Sequence, residues 1–337
     1  MPVPFILAGI AIASTLYGGV KGVKAVKQQT EANEVNSRAQ RIFDNAIEEL
    51  EEARENSKFA LERLGKKKLD VADKSINRFV SVYEKIHNIE ITDTIGLKEL
   101  NKFRIDKQSV VELKRIGEMA SSMASGMATG GLAGGLMAFG AYSAAMTFGV
   151  ASTGTAIAAL SGAAATKATL AFLGGGALAA GGFGVAGGMA ILGGVVAGPA
   201  LAVLGTFMAA KAGKNRDNAY SNLAEAKKYQ EVYRKATELC NAISKRANMF
   251  NKLLAELDEI FRQGIISLET IVSISGTDFK RYNIESKKMV AAACSVAGAV
   301  KAVLDTPILT MDGGLTKESE KTGDEILDLL NSMRQEA

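Results

Sequence analysis

Apolar positions recur at spacings of three and four along two long tracts, and between the tracts charge almost vanishes. In the first tract Ile42/Phe43, Ala46/Ile47, Leu50, Ala53, Ser57, Ala60/Leu61 and Leu64 follow the helical period. Glu48, Glu49, Glu51, Glu52 and Arg54 fill the positions between them, which marks a solvated face. Gly65 followed by Lys66, Lys67 and Lys68 reads as the helix end, with cations set against the negative end of the dipole. Val71, Ile76, Phe79, Val80, Tyr83 and Ile86 predict a second helix. Residues 89–108 form an irregular connection through Thr92, Asp93 and Gly96, and another helix begins near Gln108 and runs into the apolar region without an obvious stop.

The second tract starts after Ala210. Leu223, Ala226, Tyr229, Tyr233, Cys240, Ile243, Ala247, Phe250, Leu254, Leu257 and Phe261 form one stripe, with few breakers between residues 214 and 263. At 1.5 Å per residue this predicts a helix of ~70 Å. Gly276-Thr277-Asp278 is a turn, Ser286–Leu304 a small-residue helix, and Asp324–Met333 a short amphipathic helix. Thr306-Pro307 and Met311-Asp312-Gly313-Gly314 are further turn signals. The fold class expected is all-α, with the charged helices of residues 28–118 and 211–337 packed together as one bundle.

Between Glu118 and Lys211 the chain runs 92 residues with a single charge, Lys167, although it carries 40 Lys+Arg and 36 Asp+Glu in all. Of its 35 glycines, 21 fall in this block. Each glycine costs a solvated helix ~1 kcal/mol relative to alanine. In a bilayer the backbone has no water to bond, so helix is enforced and glycine allows close backbone approach. Gly126, Gly130 and Gly134, Gly184 and Gly188, and Gly194 and Gly198 have the small-xxx-small spacing of packed membrane helices. Residues 119–210 are therefore expected to be a glycine-rich transmembrane hairpin, with spans at 119–150 and 183–210. Alanine and glycine contribute little transfer energy, so these segments suit packing on one another in a homo-oligomer within a lipid bilayer.

A helix over 154–173, capped by Ser152-Thr153, would carry Lys167 with Thr155, Ser161, Thr166 and Thr169 nearby. A lipid-facing lysine costs at least ~2.5 kcal/mol, so Lys167 either lines a pore or reaches water at the tip of the hairpin. Residues 1–27 open with twenty uncharged positions followed by Lys21, Lys24 and Lys27. They read either as a membrane span or as a buried or interfacial helix. Basic residues follow the first segment and flank the block on both sides. The positive-inside rule then places all three junctions in the cytoplasm of a bacterial inner membrane.

Catalytic chemistry finds little to work with. There is one histidine, His87, and the cysteines Cys240 and Cys294 match no metal or redox spacing, so no enzyme, metal or cofactor is expected. His87, the tyrosines and both cysteines are expected to pack in the helical stripes. The pairs Lys227/Lys228, Arg234/Lys235, Lys245/Arg246 and Lys287/Lys288 are read as solvated helix faces, with anion binding as the alternative.

The run STGTAIAALSGAAATKATLAFLGGGALAAGGFGVAGGMAILGGVVAGPALAV, together with VLDTPILTMDGGL near the C-terminus, resembles bacterial glycine/alanine-rich membrane effectors. The channel effectors of the Hailong anti-phage defence system are among them. The resemblance covers about a third of the chain. It implies an oligomeric ion channel whose opening depolarises an infected cell. It also implies a partner nucleotidyltransferase making a nucleic-acid or nucleotide ligand that keeps the channel closed. Two other functions fit the patterning. One is a membrane-anchored helical scaffold; the other is a soluble α-helical pore-forming toxin that inserts on triggering.

Overall fold

The computed structural model describes residues 21–90, 100–103, 105–127, 140–141, 216–310 and 313–336. Its elements run α1 (Lys21–Asp70), a π-helical turn (Val71–Ile76), α2 (Asn77–Tyr83), a 3-10 turn (Leu100–Phe103) and α3 (Lys107–Met127). They continue with α4 (Arg216–Ser275), a 3-10 turn (Phe279–Arg281), α5 (Ile284–Asp305) and α6 (Lys317–Glu336). The described residues contain no strand, only isolated bridges between His87 and Asp278 and between Leu309 and Leu315. The all-α class is what the 3.6-residue periodicity requires.

The chain divides into two units, Met1–Ile47 with Gly205–Val232, and Glu48–Leu204 with Tyr233–Ala337. In the first unit α1 lies against α4 through small side chains, with Ala32, Ala39, Ala46, Ala219 and Ala226 buried. Phe43 meets Tyr229 edge-on at 6.4 Å between centroids, and Tyr220 donates to Glu31 at 2.9 Å.

In the second unit α5 is the central helix. Its one-letter pattern, AAACSVAGAV, is apolar on every face, and eleven of its residues from Val290 to Leu304 are buried. A helix of this kind must be surrounded. Its small residues let neighbours come close: a Cβ added at Gly298 would lie 1.8 Å from the Phe103 carbonyl oxygen. Phe79 packs on Phe261 with centroids 5.3 Å apart, joining α2 to α4 in the same core. Gly276, with φ +77°, ends α4 in the left-handed conformation that glycine adopts without strain.

Two boundaries differ from expectation. Gly65 does not end a helix, for α1 continues to Asp70 and passes through the π turn into α2 with helical dihedrals at Asp70 and Asn77. Gly65 is buried instead, where a Cβ on the neighbouring Gly140 would come within 3.0 Å of its nitrogen. The helix expected from near Gln108 does run past residue 118 into the apolar block: Ala120 is fully buried in the core and Ser121 bonds to Asp73 and Asn77. Finally, α4 extends beyond the expected 263 to Ser275.

No helix among the described residues is long and apolar enough to cross a membrane. The expected first span, 119–150, has two described pieces, and both Ala120 and Ala141 lie in the core of the second unit. The described part of the chain thus supports the all-α class without the transmembrane hairpin. Lys167, Thr155, Ser161, Thr166, Thr169, Gly130, Gly134, Gly184, Gly188, Gly194, Gly198 and residues 1–20 lie outside the described residues; Gly126 is in the last turn of α3.

Candidate functional site

Polar side chains converge where the regular helix gives way to the π turn. A π turn widens the backbone by one residue and re-aims the side chains that follow, and such turns recur at functional positions. Here it directs Asp73 and Asn77 toward α3 and Ser75 toward α4. The Ser121 hydroxyl donates to the Asp73 carboxylate. Asn77 Nδ2 lies 2.8 Å from the Asp73 carbonyl, 3.1 Å from the Gly117 carbonyl and 2.9 Å from Ser121 Oγ. Gly117 makes the crossing of α3 possible, because a Cβ there would sit 2.1 Å from Asn77 Oδ1.

On the α4 side, Asp258 is 1% exposed and accepts from Ser75 Oγ at 2.6 Å, Lys67 Nζ at 2.8 Å and Arg262 Nη2 at 2.7 Å. Burial alone would raise the Asp258 carboxyl, but the bonds from Lys67 and Ser75 outweigh it and hold it below the ordinary carboxylate range. A charge removed from water in this way persists only when paired and bonded.

Lys68 takes the opposite path. It is fully buried, with Nζ 3.4 Å from the Leu304 carbonyl in the last turn of α5. Desolvation lowers it from 10.5 to about 7 despite the field of Asp305, which favours the charged form. Nearby, Lys301 Nζ bridges Asp305 at 2.6 Å and Glu112 of α3 at 2.9 Å. The end of α1, the π turn and the start of α2 therefore contact α3, α4 and α5 through polar groups.

Beside this cluster is a cavity of about 560 Å³ lined by Arg63, Lys66, Lys67, Asp70, Asp73, Lys74, Ala124 and Asn251. Four of these side chains are cationic and two acidic, and Lys74 pairs with Asp70 at 2.5 Å. The arrangement can bind an anion and can transmit a shift of α3. Among the described residues no group of histidine, cysteine and carboxylate could hold a metal ion.

The residues picked from the sequence are distributed differently. Cys240 and Cys294 are buried free thiols, and burial pushes Cys294 up to about 12. Tyr233 and Tyr282 are buried as expected, whereas Tyr220 is exposed. His87 is also exposed, beyond the end of α2, where its N–H donates to the Thr277 carbonyl at 2.7 Å. Lys227, Lys228, Arg234, Lys235, Lys245 and Lys288 lie on exposed helix faces.

Sequence reasoning missed the cluster itself. Lys67 and Lys68 passed for cations complementing a helix end, yet both turn inward. The available signal was a charged residue on an apolar stripe, since Asp258 sits four residues beyond Leu254 and three before Phe261. The chain matches no protein family, no curated protein and no solved structure.

Proposed function

We propose that this chain is a pore-forming membrane effector, an oligomer whose glycine- and alanine-rich block conducts ions and whose helical bundle gates it. The observation that carries the reading is α3. This helix starts in charged sequence, is held to the π turn by Asn77 and Ser121, and runs on to Met127 inside the apolar block. A displacement of α3 at the polar cluster would therefore be delivered to the block. Glycine's role in close backbone packing, inferred for the block, has a parallel outside it at Gly298. The resemblance to anti-phage effectors supports depolarisation of the cell as the outcome. An anionic ligand supplied by a partner enzyme would find Arg63, Lys66, Lys67 and Lys74 along one cavity.

A second reading is favoured by one contact. Gly140 and Ala141 belong to the block but pack on the bundle, which suits a chain that stores its apolar segment until triggered. Membrane fractionation of freshly expressed protein separates the two readings. Single-channel recording in planar bilayers tests the first: wild type should conduct, and Gly130→Leu or Gly188→Leu should not. Wild-type conductance in both variants would remove the glycine-packing argument, and a silent wild type would remove the pore.

A further inference from the structure

We infer that the turn around Ile308 and Leu309 is an intramolecular clasp that holds Gly140–Ala141 against the bundle and lets go of them when the pore opens. The inference rests on the pore reading and names its regulation. The Ala141 carbonyl accepts from two consecutive backbone N–H groups, Ile308 at 2.8 Å and Leu309 at 3.0 Å. Neither donor belongs to a helix, so the apolar block supplies the acceptor that each of these buried residues uses.

The other wall of the slot is the backbone of α1. A Cβ at Gly140 would lie 1.9 Å from the Leu61 carbonyl oxygen, so the docked state admits glycine and no other residue. Sequence position 140 is thus read by shape and position 141 by its carbonyl.

The clasp is built to keep its form. Leu309 bridges Leu315, Thr310 N–H donates to the Gly314 carbonyl at 2.8 Å, and Gly314 N–H returns a bond to Thr310 Oγ1 at 2.9 Å. Gly313 turns the loop with φ +86°. Thr316 N–H donates to the Ile308 carbonyl at 3.0 Å, so Ile308 is fixed on both sides of its peptide. A rigid donor pair facing a glycine-specific slot recognises one short backbone segment, and it can hold or release that segment as a unit. This assigns a role to Ile308 and Leu309, which neither the polar cluster nor the cavity uses.

The test locks the contact. Ala141→Cys with Ile308→Cys, in the full chain carrying Cys240→Ala and Cys294→Ala, is reconstituted in planar bilayers and recorded before and after a reductant. The expected result is loss of conductance on oxidation, restored by reduction, while the cysteine-free parent ignores both treatments. Gly140→Val, checked for retained helicity by circular dichroism, should raise spontaneous opening. Oxidised channels conducting like reduced ones, with the crosslink verified on a gel, would overturn the clasp alone. Absence of conductance from every form would instead remove the pore reading, and the clasp with it.

Discussion

Lys68→Met is the substitution whose effect can be worked out most fully. The lysine is fully buried, and desolvation brings it from 10.5 to about 7, against the field of Asp305. In the unfolded chain the same amine titrates at its ordinary value. Between pH 7 and about 10.5 the unfolded state therefore binds the proton and the folded state does not, so stability rises with pH across that window. Below pH 7 both states are protonated and the dependence flattens. Each tenfold difference in proton affinity between the two states is worth ~1.4 kcal/mol, and integrating the two titrations gives a gain of about 2 kcal/mol from pH 7 to pH 9.

Methionine keeps the length and apolar stem but has no proton to take up. The difference in stability, variant minus wild type, should be largest at pH 7 and shrink by about 2 kcal/mol by pH 9. Groups common to both proteins, including Cys294 and Tyr83, cancel in the difference. The chain has no tryptophan, so unfolding of the purified protein is followed by circular dichroism in a denaturant series at each pH. A difference that stays constant from pH 7 to pH 9 would refute the claim that Lys68 folds without its proton.

The remaining expectations concern single contacts. Asp258→Asn removes the anion that three donors share, and should destabilise the bundle by roughly 2–4 kcal/mol in the same denaturation assay, since a buried pair is broken rather than replaced. Gly298→Ala and Gly276→Ala should separate two uses of glycine. The first drives a Cβ to 1.8 Å from the Phe103 carbonyl oxygen and should shift α5 at a cost of about 1–3 kcal/mol. The second has nothing within 4 Å and only its φ of +77° to resist it, so about 1–2 kcal/mol is expected without any shift of α5. A Lys167 that lines the proposed pore, rather than the hairpin tip, should let Lys167→Glu move the reversal potential under a salt gradient toward cation selectivity, and Lys167→Gln less so. No movement, with conductance intact, would place this lysine outside the pore.

Local patterning determined a good deal of this protein. The helical period marks residues such as Leu50, Leu64, Leu254 and Phe261 as core without any knowledge of partners, and all four are buried. Gly276 and Gly313 announce their turns because glycine adopts positive φ without strain. The split between charged helices and a nearly uncharged block is a matter of composition alone.

Tertiary structure decided what period and composition leave open. Gly65 followed by three lysines is a sound helix end on local rules. It is overridden because Gly140, distant in sequence, needs the space at Gly65, and because Asp258 and the end of α5 draw Lys67 and Lys68 inward. How α3 packs as it runs past residue 118 was likewise a tertiary matter, since it lies against the π turn and α2. Ser75, Asp73 and Ser121 are ordinary polar positions until the registers of three helices bring them together. That register depends on the fit between surfaces far apart in sequence, and it follows from the packed core rather than from the order of residues in any one helix.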